Sequence, residues 1–401
     1  MQIGVDYGLE HIDFEVAAER LVGSERAPAP PALPDPAAAV RQALEEPSGF
    51  PPLRRALTPD DHVVIVVDEH LPHLEALLVP VVEHVLGAGV ARSAITILCP
   101  ASDSSHAWLE KRPPALRDIA VEFHDPQNRQ RLSYLAATRH GRRIYLNRTA
   151  VDADQIVVLA GRGYDPLLGY SGAEGSLFPA LSDDATRRAL ANRLSNAAPG
   201  NSPGPVLQEA TEVAWLLGAP FMVQVIEGLG DDLAHVLGGL AATNAEGRHL
   251  LNARWHLTVD RPADTVVASL SGDPARHDFA ALARALAAAA RVVKPGGRIV
   301  LLSRAAPHLG PGAESLRRVD DPESALSLLR EEMPPDMAAA FQWASAAREA
   351  TVYLLSGLPH EVAEELFTTP LDHAGQAQRL LNGDGSCLFL EDAHKIMAVV
   401  K

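Results

Sequence analysis

Cysteine is scarce. The chain has 401 residues and two cysteines, Cys99 and Cys387. Two thiols so far apart make neither a disulfide framework nor a zinc site. Each sits in an apolar run, "ITILCP" or "SCLFLED", which predicts a buried thiol. Basic charge is also short: 35 Lys and Arg stand against 51 Asp and Glu, a formal net charge of −16. A duplex nucleic-acid binder needs a basic footprint to displace counterions, and an anionic membrane surface attracts basic segments. Both partners are excluded on this balance. No run reaches the roughly 18 uncharged apolar residues of a transmembrane helix. The opening "MQIGVDYGLEHIDFEV" alternates like a strand and lacks the charged and apolar regions of a signal peptide. These absences predict a cytoplasmic protein.

Apolar runs of four to eight residues recur instead, bounded by turn formers. They include "HVVIVVDEH", "ITILCP", "QIVVLAG", "PFMVQVIEG", "DTVVASLSG", "GRIVLLSR", "ATVYLLSG", "SCLFLED" and "KIMAVVK". Unbroken rather than alternating apolarity marks parallel strands buried on both faces. Helical stretches such as "HLEALLVPVVEHVLGAG" and "DFAALARALAAAARVV" lie between them. The expected fold class is α/β, with mainly parallel sheets and right-handed crossovers. A boundary near "HLTVDRPADTVVAS" divides an N-terminal α/β domain, 1–257, from a C-terminal α/β domain, 258–401. Ligands of open α/β sheets bind beyond the carboxyl ends of the strands, so the cleft between the domains is the expected site. "RAPAPPALPDPAAA", 26–39, should be extended, and "LSNAAPGNSPGP", 194–205, an irregular linker or lid.

Three strand ends carry polar groups. Asp68, Glu69 and His70 follow "VVIVV", and Pro72 suits the first turn of the next helix. Asp68 or His70 could cap that helix or act as an acid–base group. Asp103 and His106 follow "ITILCP" and leave the same two readings open. Asp165, Ser171, Gly172 and Glu174 follow "QIVVLAG" in the loop "GYDPLLGYSGAEGSLFP", with Arg162 just before it. Its small residues could offer N–H groups to a carboxylate or phosphate, which Glu174 would oppose. The loop is built for a ligand yet contains no Lys, His or Cys.

In order, these pieces resemble the nickel-pincer lactate racemases and their 2-hydroxy-acid racemase and epimerase relatives. "YG" follows the first strand, and "PPLRRALTPDDHVVIVVDEHLP" is similar to the family's "D-x-V-x-I-x-V-D-D-x-T-R-P" entry region. "GYSGAEG" is similar to its "G-F-S-G-G-x-K", and "ALANR" to a helix ending in "N-H". "ADTVVASLSGDPARHDFAALARAL" and "VVKPGGRIVLLSRAAPHLGPG" look like its later segments. The resemblance spans nearly the whole chain. It implies two α/β domains around a cleft, a nickel ion in a pyridinium-derived pincer tethered to lysine, and 2-hydroxy-acid racemisation or epimerisation by hydride transfer. Two histidines would act as alternating acid and base.

The departures are specific. The tethering lysine falls on Gly175, and the histidine before that loop on Asp165. The histidine of the loop holding Ser102 falls on Asp103, and the nickel-binding histidine on Arg193. The arginine of "T-R-P" falls on Leu71, and "Y-Q-x-x-K" becomes Ala280, Ala281 and Arg284. Asp68 and Ser171–Gly172 survive. Glycine has no amine to tether a cofactor, and arginine no imidazole to ligate nickel. The expectation is a protein without cofactor or metal. Two further readings stand beside it. Arg162, Arg193 and Arg284 could clamp a small carboxylate or hydroxy acid, with Ser171, Gly172 and Glu174 lining its site. Alternatively Asp68, His70, Asp103, His106 and Asp165 could form a rewired acid–base or metal site.

Overall fold

A computed structural model describes residues 1–25, 31–100, 106–200 and 202–401. Its two main sheets are built from the apolar runs. A six-stranded sheet has the order Leu233–Gly239, Phe221–Glu227, Gln155–Gly161, Val63–Val67, Ile95–Cys99, Ala120–Phe123. All neighbours are parallel except the first pair, which forms an antiparallel hairpin. Val63–Val67 is buried at every position because helices and loops cover both faces. A five-stranded, all-parallel sheet has the order Thr368–Pro370, Thr351–Leu355, Val293–Leu302, Ala263–Ser269, Cys387–Leu390. Cys99 and Cys387 are buried in these sheets, and burial pushes both thiols up.

The packing departs from a division at residue 257 at the N-terminus. The opening stretch forms the hairpin Gln2–Tyr7 and Glu10–Glu15. Its Val5, Tyr7 and Phe14 pack with Val267, Val300 and Leu302 of the C-terminal sheet. Ser24–Glu25 pairs with His256–Val259, which also pairs with Met397–Val400. The first 25 residues therefore belong with the C-terminal body. The expected extended segment 26–39 also ends early, because a helix runs over Pro36–Glu45. Asp35 caps it, with its carboxylate accepting from Ala38 N–H. No helix among the described residues is long and apolar enough to cross a membrane.

The turn after Phe221–Glu227 joins the two bodies. Lys395 donates to Gly228 O and Gly230 O, and Asp392 accepts from Gly230 N–H and from Ser271 N–H. Arg276 pairs with Asp231 and Glu227 and donates to His70 O at 2.9 Å. These bonds set the width of the cleft that the strand ends face.

Burial also makes stability depend on pH. His84, His124, His235, His277 and His394 all titrate below the ordinary histidine range, because lost hydration disfavours imidazolium. In the unfolded chain they take up protons near about pH 6.5. Their contribution is complete above that pH and is lost as pH falls through the folded values. Calorimetry is expected to give a lower Tm at about pH 5.5 than at about pH 7.5. His394→Asn should shrink the difference, and a higher Tm at the lower pH would contradict this assignment.

Candidate functional site

A cleft of about 1160 Å³ opens between the two bodies. Glu69, His70, His106 and Lys111 face it from one side, and His277 and Asp278 from the other. Beneath it a smaller pocket of about 190 Å³ is lined by Asp68, His70, Asp165, Ser171, Gly172 and Gly175. His70 lines both. The structure thus brings Asp68, His70, Asp165, Ser171 and Gly172 to one pocket. Ser102 and Asp103 lie outside the described residues.

Two of the carboxylates that line that pocket, Asp68 and Asp165, are spent on backbone. Asp68 Oδ1 accepts from His70 N–H at 3.0 Å, and its Oδ2 accepts from Gly161 N–H at 3.2 Å. This ties the end of one strand to the end of its neighbour. Asp165 Oδ1 accepts from Leu167 N–H and Leu168 N–H, closing the turn between Gly163–Asp165 and Gly169–Ser171. Burial raises the Asp165 carboxyl above the usual range, and the two N–H groups and Arg284 oppose that rise. The helix expected to start at Pro72 begins at Leu74, with His73 as its cap residue in the left-handed region at φ 54°. Neither Asp68 nor His70 caps it.

Adjacent residues point to opposite sides of a strand end. Asp68 turns to the sheet, and Glu69 turns to the loop after Ile95–Cys99. Glu69 Oε1 accepts from Trp108 Nε1–H at 2.7 Å and lies 2.8 Å from His106 Nδ1. His70 faces the other body, with Nε2 3.7 Å from Asp278 Oδ2. Asp278 also caps the helix Phe279–Ala290 through Ala281 N–H.

The three arginines do not form a clamp. Arg162 is fully buried: Nε donates to Gln224 Oε1 at 2.7 Å, Nη1 donates to Ser171 O, and Nη2 lies 3.3 Å from Glu174 Oε2. Glu174 is buried as well, with Arg248 3.6 Å from its other oxygen. Both side chains hold the loop onto the sheet and are closed to a ligand, which corrects their expected role. Arg193 is exposed beyond the helix Asp184–Ala191 and lines none of these cavities among the described residues. Arg284 is half-buried and lines a narrow gap with Asp165, Arg291 and His394. Burial lowers Arg291 to about 10, and its Nε donates to Asn196 O. Among the described residues no three His, Cys, Asp or Glu side chains gather as a metal-binding group.

Sequence reading missed Asp278, Arg276 and Arg291. Asp278 stands directly before "FAALARAL", where a cap residue belongs, so its place was readable while its reach toward His70 was not.

Residues 7–196 match the lactate racemase N-terminal domain family. A lactate racemase from Thermoanaerobacterium thermosaccharolyticum is 22% identical, over 98% of this chain and 98% of its own length. The N-terminal half of this chain thus matches a lactate racemase N-terminal domain, and over its whole length the chain is similar to a lactate racemase. The lactate racemase apoprotein structure from that organism superposes with a TM-score of 0.81 at 18% identity, covering 99% of this chain and 100% of the other. A Thermotoga maritima protein of known structure gives 0.68 at 13% identity, over 92% and 99%. At these identities the chain is divergent from both, and its Gly175 lines the pocket beneath the cleft.

Proposed function

We propose that this chain is a racemase-family protein that works without the lysine-tethered nickel pincer and binds a small organic acid between its two bodies. One observation carries the reading. Gly175 lines the pocket beneath the cleft, and no lysine lines that pocket among the described residues. A Cβ at 175 would meet Leu168 Cδ1 at 2.9 Å, so a side chain there would have to turn Leu168 aside. The residues present do not fit the tethered group.

The four lysines of the chain support the same reading. Lys294 pairs with Asp264, Lys401 with Glu25 and Asp260, and Lys395 bonds the interdomain turn. Lys111 stands on the cleft, away from the Gly175 pocket. The cleft itself is lined by the cations Lys111, Arg187 and Arg276, which suit an anionic ligand, whereas Arg284 stands beside Asp165 in a separate narrow gap.

Intact-mass spectrometry of protein from its native host is expected to give the mass of the bare chain. A stable adduct on any lysine would overturn the proposal. Thermal-shift screening of hydroxy, oxo and sugar acids tests the binding half. A ligand at 100 times its Kd should stabilise by about 2.7 kcal/mol, and Lys111→Gln, which removes a cation lining the cleft, should reduce that shift. No stabilisation by any acid would remove the binding reading.

A further inference from the structure

The interdomain cleft holds two histidines with left-handed backbone, His73 at φ 54° and His106 at φ 50°. Non-glycine residues adopt this conformation at a cost, and such outliers gather where geometry serves a site. At His106 the surroundings say what the geometry serves. Its Nδ1 lies 2.8 Å from Glu69 Oε1; the Glu69 side chain is 3% exposed and the imidazole 31%. Trp108 Nε1 donates to the same carboxylate oxygen, and the Phe123 ring lies 4.0 Å from the imidazole, centroid to centroid. The carboxylate is buried and held, and the imidazole is fixed in place yet open to the cleft. When Nδ1–H donates to Glu69, the lone pair sits on Nε2. A base oriented by a buried carboxylate in this way is the arrangement that proton-transfer chemistry requires.

We propose that His106, positioned by Glu69, transfers a proton to and from the carbon next to the ketone of a 2-oxo acid bound in the cleft. The proposal rests on the reading of the cleft as a small-acid site. An imidazole can deprotonate a carbon activated by a neighbouring ketone; the carbon–hydrogen bond of a 2-hydroxy acid lacks that activation. Nε2 takes the proton, and the carbon–hydrogen electron pair becomes the double bond of an enolate. The carbonyl pair moves onto oxygen, and His106 becomes imidazolium. Return of a proton to carbon restores the ketone. Nothing is oxidised or reduced, so the step needs neither a hydride carrier nor a metal. Lys111, on the same cleft, supplies positive charge for the enolate oxygen.

The test is proton NMR of pyruvate and 2-oxobutyrate in deuterium oxide with the full chain. The protons on the carbon beside the ketone are expected to exchange at least about 100-fold faster than in buffer. His106→Gln should return the rate to the buffer value, with His106→Asn as the second variant should the first not fold. Glu69→Gln should lower the rate at least about tenfold and displace its pH profile, which a purely structural role would leave in place. Exchange at the buffer rate with both acids, or undiminished exchange in the folded His106 variants, overturns the dyad. Calorimetric titration of the same acids separates the two readings. Binding without exchange removes the dyad alone, and absence of both removes the small-acid site with it.

Discussion

Replacing Glu174 by alanine is expected to destabilise the chain by about 3–5 kcal/mol, the range for breaking a buried ion pair by removing one partner. The Glu174 side chain is 1% exposed and the Arg162 side chain 0%, with their charged atoms 3.3 Å apart. Burial lowers the Arg162 guanidinium below its ordinary value, and Glu174 is the main group opposing that. Without the carboxylate, Arg162 keeps Gln224 and Ser171 O as partners but no counter-charge in its shell, with Arg248 the nearest cation. Urea unfolding of the variant measures the loss, and a change below about 1 kcal/mol would show that the charge is not confined as the geometry implies. The double variant Glu174→Leu with Arg162→Met should recover most of the stability, because an apolar pair of similar volume carries no desolvation cost. A double variant no better than Glu174→Ala would place the cost in packing rather than in charge.

This pair also shows why the opening loop was hard to read. Its composition announced a ligand loop, and an acidic residue inside it looked like repulsion toward an anion. The physical role of Glu174 depends on Arg162, twelve positions earlier by number, and on the helix that carries Arg248. Loop composition does not report such pairings. The same limit applies to Asp68 and Asp165. A carboxylate at a strand end reads equally well as an acid–base group or as an acceptor for backbone N–H, and here both accept backbone N–H.

The strands were legible because continuous Val and Ile runs can be satisfied only between covered faces. Every run named from the sequence lies in a strand, from Val63–Val67 to Met397–Val400. The partner of the N-terminal hairpin was not legible. Its alternation gives a one-sided strand pair, and nothing local says which apolar surface covers Val5 and Phe14. That surface belongs to the C-terminal sheet, more than 250 residues away in sequence. The Glu69–His106 contact was half legible. Both residues follow strands, and those strands are neighbours in the sheet, but the partner of His106 could equally have been Asp68. Strand alternation decides it, sending Asp68 inward and Glu69 toward the loop.

Gly172→Ala is expected to unseat the loop, and Gly175→Ala to leave it in place. Gly172 has φ 79° and ψ −177°, a region that only glycine occupies readily. A Cβ there would lie 2.1 Å from Gly161 O and 3.0 Å from Gly161 C. Those atoms are backbone at the end of a central strand, paired with Val225 and tied to Asp68, so they cannot retreat without breaking the ladder. Strain of about 1–3 kcal/mol and a similar term for forced overlap both apply. At Gly175 the nearest obstacle is Leu168 Cδ1 at 2.9 Å, the end of a side chain that can rotate. The added methyl group also restricts the unfolded chain, which stabilises by about 0.4–1 kcal/mol and offsets the contact. Urea midpoints of the two variants are the comparison, expected to fall sharply for Gly172→Ala and to stay within about 1 kcal/mol for Gly175→Ala. Equal losses would mean that position 175 is sealed by packing. The expected contrast would mean that the loop keeps a ligand-loop backbone at Gly172 while position 175 has been released from any requirement but smallness.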